Sequence, residues 1–255
     1  MEWIYLSPHF DDAVFSCGGL VREQSLGGDV VEIWTICGGG PPSGDLSALA
    51  EKVHRSWDAP DDVYLTRRKE DQQACDYLEA YFTHLRIPDA IYRKSLQNKE
   101  PYYTSEEDLF QGLHPEEDYL VYRLRQELIF RLPPKAAVVA PLGIGNHIDH
   151  QLTRQAVNRL DHPVYYYEDF PYVREKQGSQ ALEALEDSEE WRSERFPISD
   201  QALDAWVQAG LFYQSQLDTF WPSEEEFGNE IRALKKSRGG VRLWRQVEKN
   251  HPPEG

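Results

Sequence analysis

The chain has 255 residues, 40% of them apolar and 12% aromatic, which suits a globular protein with a sizeable core and excludes a disordered one. Asp and Glu outnumber Lys and Arg by 44 to 27, and the resulting formal charge of −17 argues against nucleic acid or anionic lipid as partners. A neutral small ligand, or one met in a locally different pocket, fits that surface better. No apolar stretch reaches the roughly 20 residues that span a bilayer, and the N-terminal Met-Glu-Trp opens no basic or hydrophobic leader. Cys17, Cys37 and Cys75 are odd in number and lack CxxC spacing, so buried free thiols and a cytoplasmic location are expected.

In chain order, residues 3–7 (WIYLS) are β-branched and aromatic and read as a buried strand. Ala13, Val14, Cys17, Leu20 and Val21 recur at helical spacing over residues 13–25, and Gly27-Gly28 ends that helix. A second strand follows at 30–36, completing a unit of βαβ size that points to a parallel sheet. Residues 38–64, rich in Gly, Pro, Ser and Asp, read as a long loop with room for one short helix, a candidate lid. A helix from Thr66 to about Tyr81 and a strand in FTHLRI come next. Residues 94–117 are polar and irregular, a peripheral insertion. A helix over about 118–131 stops at Pro133-Pro134, and AAVVA at 136–140 is an apolar strand. The Gly-containing loop LGIGN leads into a helix in DHQLTRQAVNRL, then a strand at 164–169, a loop, and a strand at 191–198. Helices at about 200–212 and 224–237 close the pattern. No repeat or linker is visible, so residues 1–255 are expected to form one three-layer α/β domain with a mostly parallel sheet.

Two clusters carry the chemistry: Pro8-His9-Phe10-Asp11-Asp12 and His147-Ile148-Asp149-His150. Each follows an expected strand and precedes an expected helix. In an open α/β sheet such loops lie at the carboxyl ends of the strands, where ligands bind, and two on one edge can converge. Imidazole and carboxylate are the ligands of Zn²⁺, and of Fe²⁺ in two-His-one-carboxylate sites. A catalytic zinc takes three protein ligands, so this set leaves an aspartate and a histidine over for proton transfer. A dication would also offset the repulsion between Asp11 and Asp12. The plainer alternative makes both aspartates helix N-caps. His54, His84, His114, His162 and His251 stand singly and read as surface or core residues. Cys17 and Cys37 read as packing, and Tyr165, Tyr166 and Tyr167 as strand packing with one face in the site. The residues alone also admit a non-haem iron oxygenase, since His9-Phe10-Asp11 is an HxD sequence, or a metal-binding protein without catalysis.

The first cluster, SPHFDDAVFSCGG, resembles the PHPDD motif of the LmbE-like, or PIG-L, zinc-dependent de-N-acetylases, and His147-Ile148-Asp149-His150 resembles that family's HxDH motif. Weaker matches are Arg67-Arg68-Lys69-Glu70 followed by Ala74 (RxxE), Pro88-Asp89-Ala90-Ile91-Tyr92-Arg93, YYEDFPY from Tyr166, and Tyr213-Gln214-Ser215-Gln216 (YxSQ). The resemblance implies a Rossmann-like fold and removal of an N-acetyl group from an N-acetylglucosamine-type sugar conjugate. It makes His9, Asp12 and His150 the ligands of Zn²⁺, with Fe²⁺ or Mn²⁺ as alternatives. Asp11 becomes the general base that activates water, and His147, as an imidazolium, the oxyanion stabiliser or general acid. Arg67, its neighbour Arg68, Asp89 and Glu168 fall on the substrate side. Phe10 replaces the family's usual proline and Ala13 a frequent glutamate, which leaves ligands and base in place. Another amide or an ester is the alternative substrate. The 38–64 loop would roof the pocket, with Trp57 and Tyr64 offering aromatic faces and Trp34 packed in the core. The implied partner is a small amino-sugar conjugate, and a homo-oligomer is left open.

Overall fold

A computed structural model describes residues 1–57 and 62–247. Its strands are β1 (Glu2–Ser7), β2 (Val30–Thr35), β3 (Tyr81–His84), β4 (Ala137–Pro141), β5 (Val164–Tyr167), β6 (Trp191–Phe196) and β7 (Val241–Gln246). They form one sheet in the order β3-β2-β1-β4-β5-β7-β6. The first five are parallel, and β7 runs antiparallel to both β5 and β6. The helices are α1 (Asp12–Leu26), α2 (Ala48–Ser56), α3 (Val63–Leu78), α4 (Asp118–Arg131), α5 (Ile148–Val157), α6 (Lys176–Glu186), α7 (Asp200–Gly210), α8 (Gln214–Phe220) and α9 (Glu224–Arg238). This is the α/β arrangement with a mostly parallel sheet expected from the sequence.

Central β1 and β4 are buried almost throughout, as strands covered on both faces must be, and so read as unbroken apolar runs. The chain steps from β1 to β2 in one direction and from β4 to β5 in the other. Right-handed crossovers therefore put α1 and α5 on opposite faces. Gly18 and Gly19 let α7 lie close on α1: a Cβ on Gly18 would fall 2.5 Å from Trp206 Cδ1, and one on Gly19 2.6 Å from Ile198 Cδ1. The Trp206 indole N–H donates to the Val14 carbonyl at 2.7 Å, which fixes that contact.

Helix α2 is the one short helix for which the 38–64 loop had room, capped by Ser47, whose hydroxyl accepts the Ala50 N–H; four other elements depart from the sequence reading. Residues 58–61 of that loop lie outside the described residues, as does His251. Segment 94–117 is not peripheral: Tyr103 and Leu109 are buried in a second apolar cluster with Ala90, Ile91 and Ile148, over the start of α5. Helix α6 forms where a loop was expected, α8 lies between the last two expected helices, and β7 follows the last of them. No helix among the described residues is long and apolar enough to cross a membrane.

Candidate metal centre

The strand order reverses between β1 and β4, which are neighbours in the sheet. The crevice beyond the carboxyl ends of such a pair is where open α/β sheets bind ligands. Residues 8–11 leave β1 there and residues 142–147 leave β4, so the two histidine-aspartate clusters meet. The first loop is held by two local bonds. The Ala13 N–H donates to Ser7 Oγ at 2.9 Å, and the His9 N–H to Asp12 Oδ2 at 2.7 Å. Asp11 stands at the N-cap position of α1, yet its side chain makes no capping bond, so the plainer reading fails for this residue. His147 caps α5, its Nδ1 accepting the Asp149 N–H at 3.2 Å.

Asp12 is the centre of the cluster. His9 Nδ1 lies 3.1 Å from its Oδ2 and His150 Nε2 lies 3.2 Å from its Oδ1. The His147 ring stands 4.7 Å from that of His9 and 5.6 Å from that of His150. One donor atom from each of these histidines falls within 4.8 Å of the others. The far nitrogens of the two inner rings are each held by a carboxylate. His9 Nε2 meets Asp149 Oδ2 at 3.1 Å, and His150 Nδ1 meets Asp169 Oδ1 at 2.6 Å. Asp149 is fixed in turn by the Ala90 N–H at 3.0 Å and by Arg93, and Asp169 by the Ile144 N–H at 2.9 Å. Carboxylate–histidine pairs of this kind orient metal-binding imidazoles and set which nitrogen is free to ligate. His150 Nε2, buried and without a hydrogen bond among the described residues, is the nitrogen so presented. Donor atoms of His9, His147 and His150 thus lie within reach of one another, with Asp12 3.1 and 3.2 Å from two of those rings, and the cluster fits a divalent cation. A second group, His9, Asp89 and Asp149, fits less well because Asp149 already neutralises the buried Arg93.

The electrostatics agree. Burial opposes charge on Asp12, but His150 and His9 outweigh it and hold the carboxyl well below the usual range. Burial likewise opposes the imidazolium forms of His9 and His150. Asp12 nevertheless raises both, together with Asp149 for His9 and Asp169 for His150, the latter to about 9. The cluster thus favours positive charge beside Asp12, the need a dication meets. Burial and the Asp12 charge push Asp11 up to about 6 against the pull of Arg67. Burial and the neighbouring His9 ring push the His147 pKa well below the usual value, against the imidazolium form. With Nδ1 accepting from Asp149, its proton sits on Nε2.

Arg67 reaches the cluster from α3. Its Nη2 is 3.5 Å from Asp11 Oδ1, and its guanidinium lies 4.4 Å from the Trp57 ring and 5.5 Å from the Phe10 ring. The next turn of α3 is fastened from far along the chain. Glu70 accepts the Ser215 N–H at 2.9 Å and its hydroxyl at 2.6 Å, while Asp71 accepts Tyr213 OH at 2.8 Å and pairs with His84 at 2.6 Å. The RxxE and YxSQ segments therefore meet, and together they aim Arg67. Arg68 points elsewhere, to the Gly38 carbonyl and Tyr64 OH. Asp89 caps a short turn by accepting the Ile91 N–H, with Oδ2 3.8 Å from His9 Nε2.

Glu168 is not brought to the site. Its carboxylate accepts the Trp244 indole N–H at 2.9 Å and pairs with Arg242 and Arg238, tying β5 to β7 and α9. Successive residues at a strand end face opposite ways, and it is Asp169 that turns to His150. Trp34 is core, as expected, and Trp57 lies over Arg67. Sequence reasoning gave no role to Asp149, Asp169, Arg93 or Phe110. The Phe110 ring, 40% exposed, stands 5.3 Å from His147, held there by Asn146 Nδ2 donating to the Phe110 carbonyl at 2.7 Å. The signals available were Asp149 inside HxDH and Asp169 inside YYEDFPY.

A family model described as PIG-L, GlcNAc-PI de-N-acetylase, matches residues 4–160. Over 192 residues, 67% of each chain, the sequence is 32% identical to a 2'-N-acetylparomamine deacetylase from Niallia circulans. Among solved structures, the zinc-inhibited form of teicoplanin deacetylase Orf2 aligns with a TM-score of 0.79 at 27% identity, covering 98% of this chain and 99% of that one. A deacetylase–teicoplanin complex aligns at 0.77 and 26% identity, covering 98% of this chain and 100% of that one.

Proposed function

Since the chain belongs to the PIG-L, or LmbE-like, family of de-N-acetylases, we propose that it is a metal-dependent hydrolase removing the acetyl group from an N-acetylglucosamine-type sugar conjugate. The observation that carries this reading is the convergence of His9 Nδ1 and His150 Nε2 on Asp12, with a carboxylate behind each ring. Those three side chains would hold the cation, Zn²⁺ by donor type, with Fe²⁺ or Mn²⁺ as alternatives. Bound there, it supplies Lewis acidity to the acetyl carbonyl and lowers the pKa of water.

The rest falls to the chain. An amide is a poor electrophile and an amine a poor leaving group, so water must lose a proton and nitrogen must gain one. Asp11, beside Asp12 and close to Arg67, takes the proton from water as general base. Its carboxyl, pushed up to about 6, can then return that proton to the departing nitrogen. His147, neutral with its proton on Nε2, donates a hydrogen bond to the carbonyl oxygen as charge develops there. Asp89 and Arg67 line the same narrow cleft as Trp57 and Tyr92, beside the cluster, and would meet the substrate's polar groups there. A relative that deacetylates 2'-N-acetylparomamine, and another found in complex with teicoplanin, support an amino-sugar conjugate.

The test is amine release from a panel of N-acetylated amino sugars by zinc-loaded protein, with metal content measured alongside. Release that disappears on chelation and returns with metal is expected. A protein that binds one metal ion per chain yet cleaves no acylated amine in the panel refutes the reading.

A further inference from the structure

We propose that a cavity beside the metal centre, between Arg68 on α3 and Arg86 just past β3, binds an oxyanion. The conjugate acted on then carries a phosphate, sulfate or carboxylate at a distance from its acetamido group. The cavity holds about 430 Å³ and is lined by Gly39, Gly40, Tyr64, Arg68, His84 and Arg86. In a chain of charge −17, this lining contains no carboxylate. Arg68 donates only to the Gly38 carbonyl at 3.4 Å and to Tyr64 OH at 3.0 Å, so its charge has no counter-ion among the described residues. Arg86 makes no hydrogen bond or ion pair with a described residue.

The third polar group is His84. Its side chain is 3% exposed, its Nε2 is bonded to Asp71, and its Nδ1 is buried without a partner. With Nε2–H donating to Asp71, Nδ1 is an acceptor, so a ligand hydroxyl in the cavity, of a protonated phosphate or of the sugar, would give it a partner. The glycines let the chain pack closely at the cavity wall, since a Cβ on Gly39 would fall 2.8 Å from the Ile87 carbonyl oxygen and one on Gly40 3.0 Å from the Tyr64 ring. Arginine forks match the planar or tetrahedral oxygens of such anions, and two of them lining one cavity give a short-range attraction that the overall acidic field lacks.

The cavity adjoins the narrow cleft lined by Phe10, Arg67 and Asp89. Gly39 and Tyr64 line both, and Phe10, between His9 and Asp11, packs edge-on to His84 at 5.1 Å. One molecule could thus place its acetamido group at the metal and its anion between the arginines. This assignment of a substrate class rests on the deacetylase reading, whereas anion binding itself does not.

The experiment is calorimetric titration of the zinc-loaded protein with inorganic phosphate, sulfate and glucuronate, repeated on Arg68→Gln, Arg86→Gln and the double variant. Saturable binding is expected for at least one anion, weakened about tenfold or more by either change. Arg86 is exposed and unbonded, so its variant keeps the fold. The tightest probe separates a phosphate or sulfate ligand from a carboxylate. No saturable binding, or binding that both changes leave within about twofold of wild type, overturns the anion site. In the second arm, kcat/KM for N-acetylglucosamine 1-phosphate is divided by that for methyl N-acetylglucosaminide. A ratio falling about tenfold in Arg86→Gln supports the substrate class, and an unchanged ratio overturns it. If neither glycoside releases amine while the anion still binds between the arginines, the deacetylase reading fails and the anion site stands.

Discussion

Changing Asp169 to Asn tests whether His150 ligates through Nε2. Asp169 accepts twice, from His150 Nδ1 at 2.6 Å and from the Ile144 N–H at 2.9 Å. Asparagine keeps one oxygen and presents an NH₂ in place of the other, so one of the two donors must face a donor. If the oxygen stays on Ile144, the amide donates to Nδ1 and drives the ring proton to Nε2, the atom that must be bare to bind metal. If the oxygen follows His150, the buried Ile144 N–H loses its acceptor, a cost of about 1–3 kcal/mol. Loss of a carboxylate behind a ligating histidine typically weakens metal binding about 10–100-fold, or roughly 1.4–2.8 kcal/mol at 1.4 kcal/mol per decade. Zinc affinity is measured by competition with a chromophoric chelator, and urea unfolding of the metal-free protein separates the folding cost. A zinc affinity within about twofold of wild type, in a folded variant, refutes the assignment of His150 Nε2 as a ligand.

Other consequences follow from the same geometry. Asp11→Ala should retain its metal, measured by atomic absorption, while amine release falls about 10²–10⁴-fold; retained turnover removes the base role. Arg93→Met leaves Asp149 and Glu117 buried without their counter-charge and should cost about 3–5 kcal/mol in urea unfolding, with a loss under about 1 kcal/mol contradicting the network. Zinc at about 100 times its Kd should stabilise the fold by about 2.7 kcal/mol, and at roughly 2–4 °C per kcal/mol its withdrawal should lower Tm by about 5–10 °C. A scanning-calorimetry Tm indifferent to chelator would count against a structural link between metal and fold.

The first βαβ unit was legible because its signals are local: β1 and β2 are apolar runs stopped by turn residues, and α1 carries its apolar residues at helical spacing. His9, Asp11, Asp12, His147 and His150 were legible for a related reason, since each cluster occupies one short strand-to-helix loop. What stayed hidden depends on partners far along the chain. Whether Glu168 or Asp169 faces the site is set by how β5 sits against β4 and β7, and the two differ by one residue. Helix α6 buries little beyond Gly178 and Leu182, too thin an apolar stripe to distinguish it from a loop. Phe110 lies in a polar stretch whose burial comes from Tyr103 and Leu109 meeting Ile148 across the fold. The burial and the His9 ring that oppose charge on His147 were hidden for the same reason, since they exist only once the loops converge.

The sheet order has a consequence for how this chain is made. A ribosome delivers β6 well before β7, yet β7 lies between β5 and β6 and is the strand that β6 pairs with. Until the last strand arrives, β5 presents an open edge and β6 has nothing to join. Glu168 meanwhile waits for Arg238, Arg242 and Trp244. A nascent chain stalled or cut after α7 therefore holds a finished parallel half beside an exposed strand edge, the kind of surface on which chains pair with one another. Co-translational aggregation, more than loss of activity, is the expected phenotype of lesions in residues 224–247.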